Sequence, residues 1–479
     1  MTSEKVLSFF REILEIPRES GHEEHIIAYL QEFARTRNLE CKTDKAGNVL
    51  IVKPATPGRE NSPTLILQSH SDMVCEKNSG VEHDFSKDPI KAVVEDGWLI
   101  AKDTTLGADC GIGIAAQLAV LEDENLPHGK IECLFTTSEE TGLDGAFALE
   151  SDFLTGTILL NLDSEDEGEL FIGCAGGIDT TAKFHYAKEP VPAGCIGIKA
   201  GFSGGIGGHS GDDIDKGRSN AVQSLARFLY RLQCSCPFSL CSIDGGNKRN
   251  AIAREAHAVI AVSPSNLSLV KSIHSKVMAE LKDEYSITDP DLTPVYEEGV
   301  HLPETAVDGK TARSLVCVLN SVPHGVLAMS AEVKGLVETS TNLASVKMPE
   351  EGVIRIGTSQ RSSTNSARHH AAEKVEAAFV LAGAEVTHES EYPGWKPSLK
   401  SHILEVCKAS YVRLFNAEPV VRAIHAGLEC GLFLDKYPGL DMISFGPTLR
   451  GVHAPGERLE LASLDKFVML LEDVIKECR

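Results

Sequence analysis

His70 and Asp72 close the stretch Leu65-Ile-Leu-Gln-Ser-His-Ser-Asp, an apolar run that ends in a His and, two residues on, an Asp. A neutral imidazole nitrogen is a metal ligand. A carboxylate two residues away can hold the other ring nitrogen and so fix tautomer and orientation. Three more stretches carry related chemistry. Asp109 lies in Thr105-Leu-Gly-Ala-Asp-Cys-Gly-Ile-Gly, just ahead of an apolar helix-like run at 112–121. Glu139 and Glu140 follow Ile131-Glu-Cys-Leu-Phe-Thr-Thr, and Asp163 follows Thr157-Ile-Leu-Leu-Asn-Leu. Oxygen donors with a His suit zinc, with manganese or cobalt as substitutes. A two-metal site built from these groups lacks one nitrogen, and His453, in the Gly/Pro-bounded turn Gly451-Val-His-Ala-Pro-Gly, can supply it.

These residues need elements that bring them to one place. Residues 64–68, 131–137 and 157–162 read as short buried strands, each followed by ionisable groups, and Asp109 stands at a helix start. Strands alternating with helices indicate an α/β domain with a mainly parallel sheet, and ligands bind such sheets beyond the carboxyl ends of the strands. Helical spacing at 6–14 and 23–37 precedes a hairpin at 42–54 that turns at Ala46-Gly-Asn48. After an acidic loop at 164–169, the small residues 173–177 read as a flexible hinge. The pattern then changes. Strands are expected at 180–186, 195–202, 251–262, 325–333, 352–358 and 385–389, with helices at 221–232, 264–285 and 366–381. This describes an α+β domain inserted into the first. The turn-rich Tyr392-Pro-Gly-Trp-Lys-Pro reads as the return linker. A helix at 401–415, strands at 420–424 and 442–445, and a final helix at 464–478 complete the first domain. The expected boundaries are 1–178 and 391–479 for the catalytic domain and 179–390 for the insertion.

Composition bounds the function. A chain of 479 residues, 42% hydrophobic and 24% charged, is that of an ordinary globular protein with more than one core. A net charge of −23 argues against nucleic acid or an anionic membrane as partner. No run approaches roughly 18 uninterrupted apolar residues. The N-terminus reads as a capped amphipathic helix rather than a signal peptide. Thirteen scattered Cys point to reduced, mostly buried thiols and a cytoplasmic protein. Cys75 and Cys110 read as packing residues.

Five motifs in order carry a resemblance: Ser69-His-Ser-Asp, Leu106-Gly-Ala-Asp-Cys-Gly-Ile-Gly, Thr137-Ser-Glu-Glu-Thr-Gly, Asn161-Leu-Asp and Gly451-Val-His-Ala-Pro. Together they resemble the co-catalytic zinc exopeptidases of the aminoacylase and carboxypeptidase G superfamily. Gly207-Gly-His-Ser-Gly, Asn250-Ala-Ile-Ala-Arg and His425-Ala-Gly-Leu-Glu-Cys-Gly narrow the resemblance to the aminoacyl-histidine (Xaa-His) dipeptidase branch. The resemblance covers nearly the whole chain. It implies two Zn2+ per chain, one held by His70 and Asp163 and the other by Glu140 and His453. Asp109 would bridge them, followed by a cis peptide bond. Glu139 would be the general base, and Asp72 would orient His70. The inserted domain would be a lid that in relatives also forms the dimer contact, so a homodimer is implied.

A dipeptidase must recognise a free terminal carboxylate, and Arg does so through paired hydrogen bonds. Arg361 in the insertion is the candidate. His209, in a Gly-rich loop, is the candidate for the substrate carbonyl, and Asn250 for the substrate backbone. Glu429 reads either as a group behind the metal site or as a simple helix-end carboxylate. The expected function is hydrolysis of Xaa-His dipeptides such as carnosine, with broader dipeptide scope admitted. The alternatives are an N-acyl amino acid deacylase of the same superfamily and an inactive binding or scaffold relative.

Overall fold

A computed structural model describes residues 1–479. The chain divides into two units. The first comprises Met1–Cys174, Trp395–Ala423 and Leu428–Arg479, and the second Ala175–Gly394 with Ile424–Gly427.

The first unit begins with the helix Ser3–Leu14, whose Thr2 side chain accepts the Lys5 N–H as an N-cap. Val6, Phe9, Phe10, Ile13 and Leu14 form its buried stripe. Each such side chain contributes about 1.5–3 kcal/mol when fully buried. A second helix, Glu24–Thr36, buries Ile26, Leu30 and Phe33 in the same core.

The sheet of this unit has the spatial order Glu40–Thr43, Val49–Lys53, Ile131–Thr136, Leu65–His70, Ile158–Asn161, Asp441–Ser444, Glu169–Cys174, Val420–Ile424. The expected hairpin pairs antiparallel, Thr43 with Val49. The four central strands, Ile131–Thr136 to Asp441–Ser444, run parallel. Antiparallel pairing flanks this core on both sides, so the sheet is mixed. Register decides the rest: His70 pairs with Thr136, and Gln68 with Asn161. The strands therefore end together, and the residues that follow them emerge at one edge.

The helix Ala108–Glu122 is buried almost throughout, as an all-apolar helix must be. Gly113 lets it approach the sheet, since a Cβ there would stand 2.9 Å from Ser69 Cβ and 3.0 Å from the Leu162 carbonyl oxygen. A small antiparallel sheet joins Leu449–Arg450, Arg458–Glu460, Trp98–Ile100 and Val93–Glu95. Leu449 pairs with Leu459 and Arg450 with Arg458, so residues 451–457 form the connecting loop that carries His453.

The second unit is an antiparallel sheet with helices, the α+β layer expected of the insertion. Its long strands include Gly176–His185, Val337–Glu350 and Val353–Ser362, paired in register over most of their length. Phe228, Leu229, Val277, Leu319 and Phe379 from four helices share one core with Phe202, Ile260, Ile354 and Ile356 from the sheet. The helix Gly309–Ser321 and the strand Ser239–Gly245 are not among the expected elements.

Residues 173–177, read as a hinge, contain the boundary between the two units and are mostly strand. They belong to the strands Glu169–Cys174 and Gly176–His185, with only Ala175 between. Their glycines serve close packing: a Cβ on Gly176 would lie 2.5 Å from the Gly394 nitrogen, and one on Gly177 2.5 Å from the Tyr392 ring. No helix of the structure is long and apolar enough to cross a membrane.

Candidate metal centre

His70 ends its strand fully buried, and its ring is held from behind. Nδ1 lies 3.2 Å from the Asp72 carbonyl oxygen and 3.3 Å from Asp72 Oδ1. With Nδ1–H directed there, the Nε2 lone pair is free to ligate. The same Asp72 carboxylate accepts Ser20 Oγ at 2.7 Å and the backbone N–H groups of Glu139 at 3.1 Å and Glu140 at 3.2 Å. Burial pushes Asp72 up, but His70 and these donors outweigh it and hold its pKa at about 2. It is an anion at any working pH.

Asp109 faces two imidazoles. Its Oδ1 lies 3.1 Å from His70 Nε2, and its Oδ2 3.1 Å from His453 Nε2. The Asp109–Cys110 peptide is cis. Asp163 Oδ1 lies 3.2 Å from His70 Nε2, and Glu140 Oε1 lies 2.9 Å from His453 Nε2. All five candidate ligands therefore meet, in two groups that share Asp109. Cys110, read as packing, lies beside the first group, where its Sγ donates to the Leu162 carbonyl at 3.2 Å.

The charges fit divalent cations. Asp163 Oδ1 is buried and takes no hydrogen bond. Hydrogen bonds with Asp109 and Glu140 raise His453 to about 11. Burial opposes a charge on His70, yet Asp163, Asp109 and Asp72 hold its pKa well above the ordinary imidazole value. A pocket that draws protons this strongly onto its nitrogens attracts positive charge generally. Its donors, imidazole and carboxylate, are those of zinc, manganese and cobalt sites.

Glu139 belongs to the turn after the strand Ile131–Thr136. Ser138 precedes it in the left-handed region at φ 49°. Glu23 Oε1 pins that turn by accepting Ser138 N–H and Oγ–H, both at 2.8 Å. The Glu139 carboxylate has no hydrogen-bond partner in the protein. Burial raises its pKa well above the carboxylate range, with Asp163, Glu429 and Glu140 adding to the effect against His70. A carboxylate whose pKa is raised by burial is suited to proton transfer.

A buried polar row lies beneath the ligands. Glu429 Oε2 accepts Gln68 Nε2 at 2.6 Å and Thr136 Oγ1 at 2.9 Å. Gln68 Oε1 accepts Asn161 Nδ2 at 2.6 Å, and Asn161 Oδ1 accepts Ser444 Oγ at 2.5 Å. The row crosses all four parallel strands just below the turns that carry the candidate ligands. Glu429, at the start of the helix Cys430–Lys436, combines a helix-end position with a place in this row.

Sequence reading missed Arg18, Ser20, Glu23 and Glu457. Arg18 and Ser20 lie in Pro17-Arg-Glu-Ser-Gly-His, between the two segments of helical spacing, and Glu23 opens the second of those segments. Charged residues clustered in a short turn between two core helices are the signal that was there to find.

In the second unit the three substrate candidates assemble. Arg361, 8% exposed, makes no ion pair; its Nη1 donates to Tyr392 Oη at 3.0 Å and its Nε to Ser210 Oγ at 3.4 Å. Ser210 follows His209 and donates its N–H to the Asn250 carbonyl at 2.8 Å. His209 Nδ1 lies 3.3 Å from the N–H groups of Gly211 and Asp212 and 3.3 Å from Asp212 Oδ2. His425 joins this cluster: its Nε2 lies 2.7 Å from Ser340 Oγ, and Ser340 pairs with Arg361 across the sheet.

Comparison with known proteins matches residues 66–477 to the model of "Peptidase family M20/M25/M40". The cytosol non-specific dipeptidase of Escherichia coli (strain K12) is 41% identical over 477 residues, covering 100% of this chain and 98% of that protein. The aminoacylhistidine dipeptidase of Vibrio alginolyticus superposes with a TM-score of 0.92 at 39% identity, over 98% of this chain and 96% of that one. The aminopeptidase PepT of Bacillus cereus, at 18% identity and a TM-score of 0.58 over 100% and 99% of the two chains, shares the fold. The chain belongs to peptidase family M20/M25/M40 and, with it, to the peptidases that bind divalent metal.

Proposed function

We propose that this protein is a metallodipeptidase that cleaves Xaa-His dipeptides and, beyond them, a wider range of dipeptides. The observation that carries the reading is the Asp109 carboxylate, one oxygen 3.1 Å from His70 and the other 3.1 Å from His453. In this reading His70 and Asp163 would hold one Zn2+ and Glu140 and His453 a second, with Asp109 available to both and Mn2+ or Co2+ as substitutes. Bound there, the cations supply Lewis acidity at the scissile carbonyl and lower the pKa of the attacking water.

The chain's own residues do the rest. Glu139 takes the proton of the attacking water and passes it to the leaving amine nitrogen. Asp72 keeps the His70 ring in the tautomer that leaves Nε2 unprotonated. Arg361, a buried guanidinium that makes no ion pair, receives the substrate's terminal carboxylate. His209 donates Nε2–H to the substrate carbonyl, and Asn250 binds the substrate backbone. The two relatives near 40% identity differ in the scope their names state, one aminoacylhistidine and one non-specific, which supports the wider range. The Escherichia coli relative's name supports a cytoplasmic enzyme. Assembly as a homodimer through the second unit is part of the proposal.

The test is a substrate panel on purified protein loaded with zinc: Xaa-His dipeptides, other dipeptides and N-acetyl amino acids, with zinc counted by mass spectrometry. Two zinc ions per chain and release of free amino acids from dipeptides are expected. Cleavage of N-acetyl amino acids alone, or of nothing in the panel, would reject the reading.

A further inference from the structure

Two buried charged residues outside the ligand set act on main chain rather than on each other. Glu457, 2% exposed, accepts four consecutive backbone N–H groups. Oε2 takes those of Leu106 at 2.7 Å and Gly107 at 2.9 Å, and Oε1 those of Ala108 at 2.8 Å and Asp109 at 3.3 Å. Arg18, also 2% exposed, donates to the opposite kind of group. Its Nη1 reaches the carbonyls of Asp72 at 2.7 Å and Ser71 at 3.3 Å, and its Nη2 reaches the carbonyl of Gly107. Neither residue makes a side-chain ion pair. Gly107 has φ +67°, and a Cβ there would stand 2.5 Å from Arg18 Nη2; one on Gly111 would stand 2.6 Å from the same atom. The two glycines clear the space the guanidinium occupies.

We propose that Arg18 and Glu457 are positioning residues: together they lock the Leu106–Asp109 loop so that the Asp109 carboxylate stays centred between His70 and His453. Three turns carry these groups: the one after the strand Leu65–His70, the loop into the helix Ala108–Glu122, and the loop 451–457. Arg18 ties the first to the second. Glu457, four residues after His453, ties the third to the second. Hydrogen bonds to ionised groups are about twice as strong as neutral ones, and a row of successive N–H groups is a natural seat for an anion. A carboxylate is the only side chain with enough acceptor sites for four donors. A Gln in its place keeps one oxygen and turns an amide N–H₂ toward backbone donors.

The inference rests on the metal-bridging role proposed for Asp109. The test uses Co2+ as probe in the whole protein, on wild type and on E457Q, E457D, R18K and D109N. Co2+ affinity is read by chelator competition, the site geometry by visible absorption, and folding by thermal melting. E457Q and R18K are expected to bind Co2+ about 10–100-fold more weakly, with altered absorption. Their kcat falls while KM stays within about threefold. E457D, which keeps the charge, recovers part of the loss. Should E457Q fail to fold, R18K decides by the same readings. Wild-type Co2+ affinity and absorption in the folded variants, even with lowered melting temperatures, would overturn the inference and leave a purely structural role. D109N separates the two levels: unchanged Co2+ binding in D109N rejects the metal-site reading itself, whereas its loss in D109N but not in E457Q or R18K rejects only the positioning role.

Discussion

The carboxylate of Asp72 takes the backbone N–H of Glu139 on Oδ1 at 3.1 Å. The group that contacts the His70 ring thereby fixes the turn from which Glu139 projects, so the proposed ligand and the proposed base share one anchor. If Glu139 is the base, replacing it removes proton transfer without removing a ligand. Glu139→Gln is expected to keep the full metal content and lose about 10²–10⁴-fold in kcat. Turnover near wild type, measured beside metal content, would refute the assignment.

Arg361 makes no ion pair inside the protein, although its charge acts on Asp212, which leaves its N–H donors for a ligand. Arg361→Met is expected to raise KM for dipeptides by about 10–100-fold, the equivalent of a charge-assisted hydrogen bond of about 1.5–3 kcal/mol. The same dipeptides with a C-terminal amide serve as control. Their kcat/KM is low in both proteins and changes little on mutation. Equal loss on acid and amide substrates would exclude carboxylate recognition.

Removing metal leaves Asp109, Asp163, Glu139 and Glu140 crowded without a countercharge other than the two imidazoles. Dialysis against a chelator is expected to abolish turnover and to lower the melting temperature by roughly 5–10 °C, since a ligand at about 1,000 times its Kd stabilises by about 4 kcal/mol. Adding Zn2+, Mn2+ or Co2+ restores both. A melting temperature indifferent to chelator would contradict tight binding at this site.

His425 provides a pH test in the second unit. Burial, with the nearby charges of Arg361 and His209 and against Asp212 and Asp215, lowers it from 6.5 to about 4. The unfolded chain thus binds the proton more readily than the folded one. Stability is full above the unfolded value and is lost as pH falls from 6.5 toward about 4, by at most roughly 3 kcal/mol. Denaturant unfolding at about pH 7 and about pH 4.5 should show His425→Gln losing less stability than wild type on acidification. Parallel losses would place the acid sensitivity elsewhere.

Gly113 faces Cys110 Sγ at 2.7 Å and Ser69 Cβ at 2.9 Å from where a methyl would sit. Gly113→Ala overfills this contact. An unfolding free energy lower by about 1–3 kcal/mol is expected, and an unchanged denaturation midpoint would show that the helix can back away.

The clustering of the candidate site residues was legible because its logic is local. His70 ends a short apolar strand, Glu139, Glu140 and Asp163 follow one, and parallel register delivers them to one edge. Arg18, Glu23 and Glu457 were not, because each binds backbone in a distant turn and no spacing in the sequence encodes such a partner. In the second unit the strand Val337–Glu350 escaped notice for another reason. Its centre, Thr339-Ser-Thr-Asn, is polar yet buried. Asn342 donates to the carbonyls of Arg249 and Ala251, Thr341 accepts Gln360 Nε2, and Thr339 bonds Ser362. A strand whose buried face is satisfied by side-chain hydrogen bonds shows no alternation of apolar and polar residues.

The insertion has an outcome during synthesis. His453 and Glu457 are translated only after the entire second unit, so a nascent chain that has emerged through Gly394 carries His70, Asp109, Glu140 and Asp163 but neither the second imidazole nor the anion that seats the Asp109 loop. If the proposed centre is the hydrolytic one, competence arrives late on the ribosome, and fragments that end before His453 lack it.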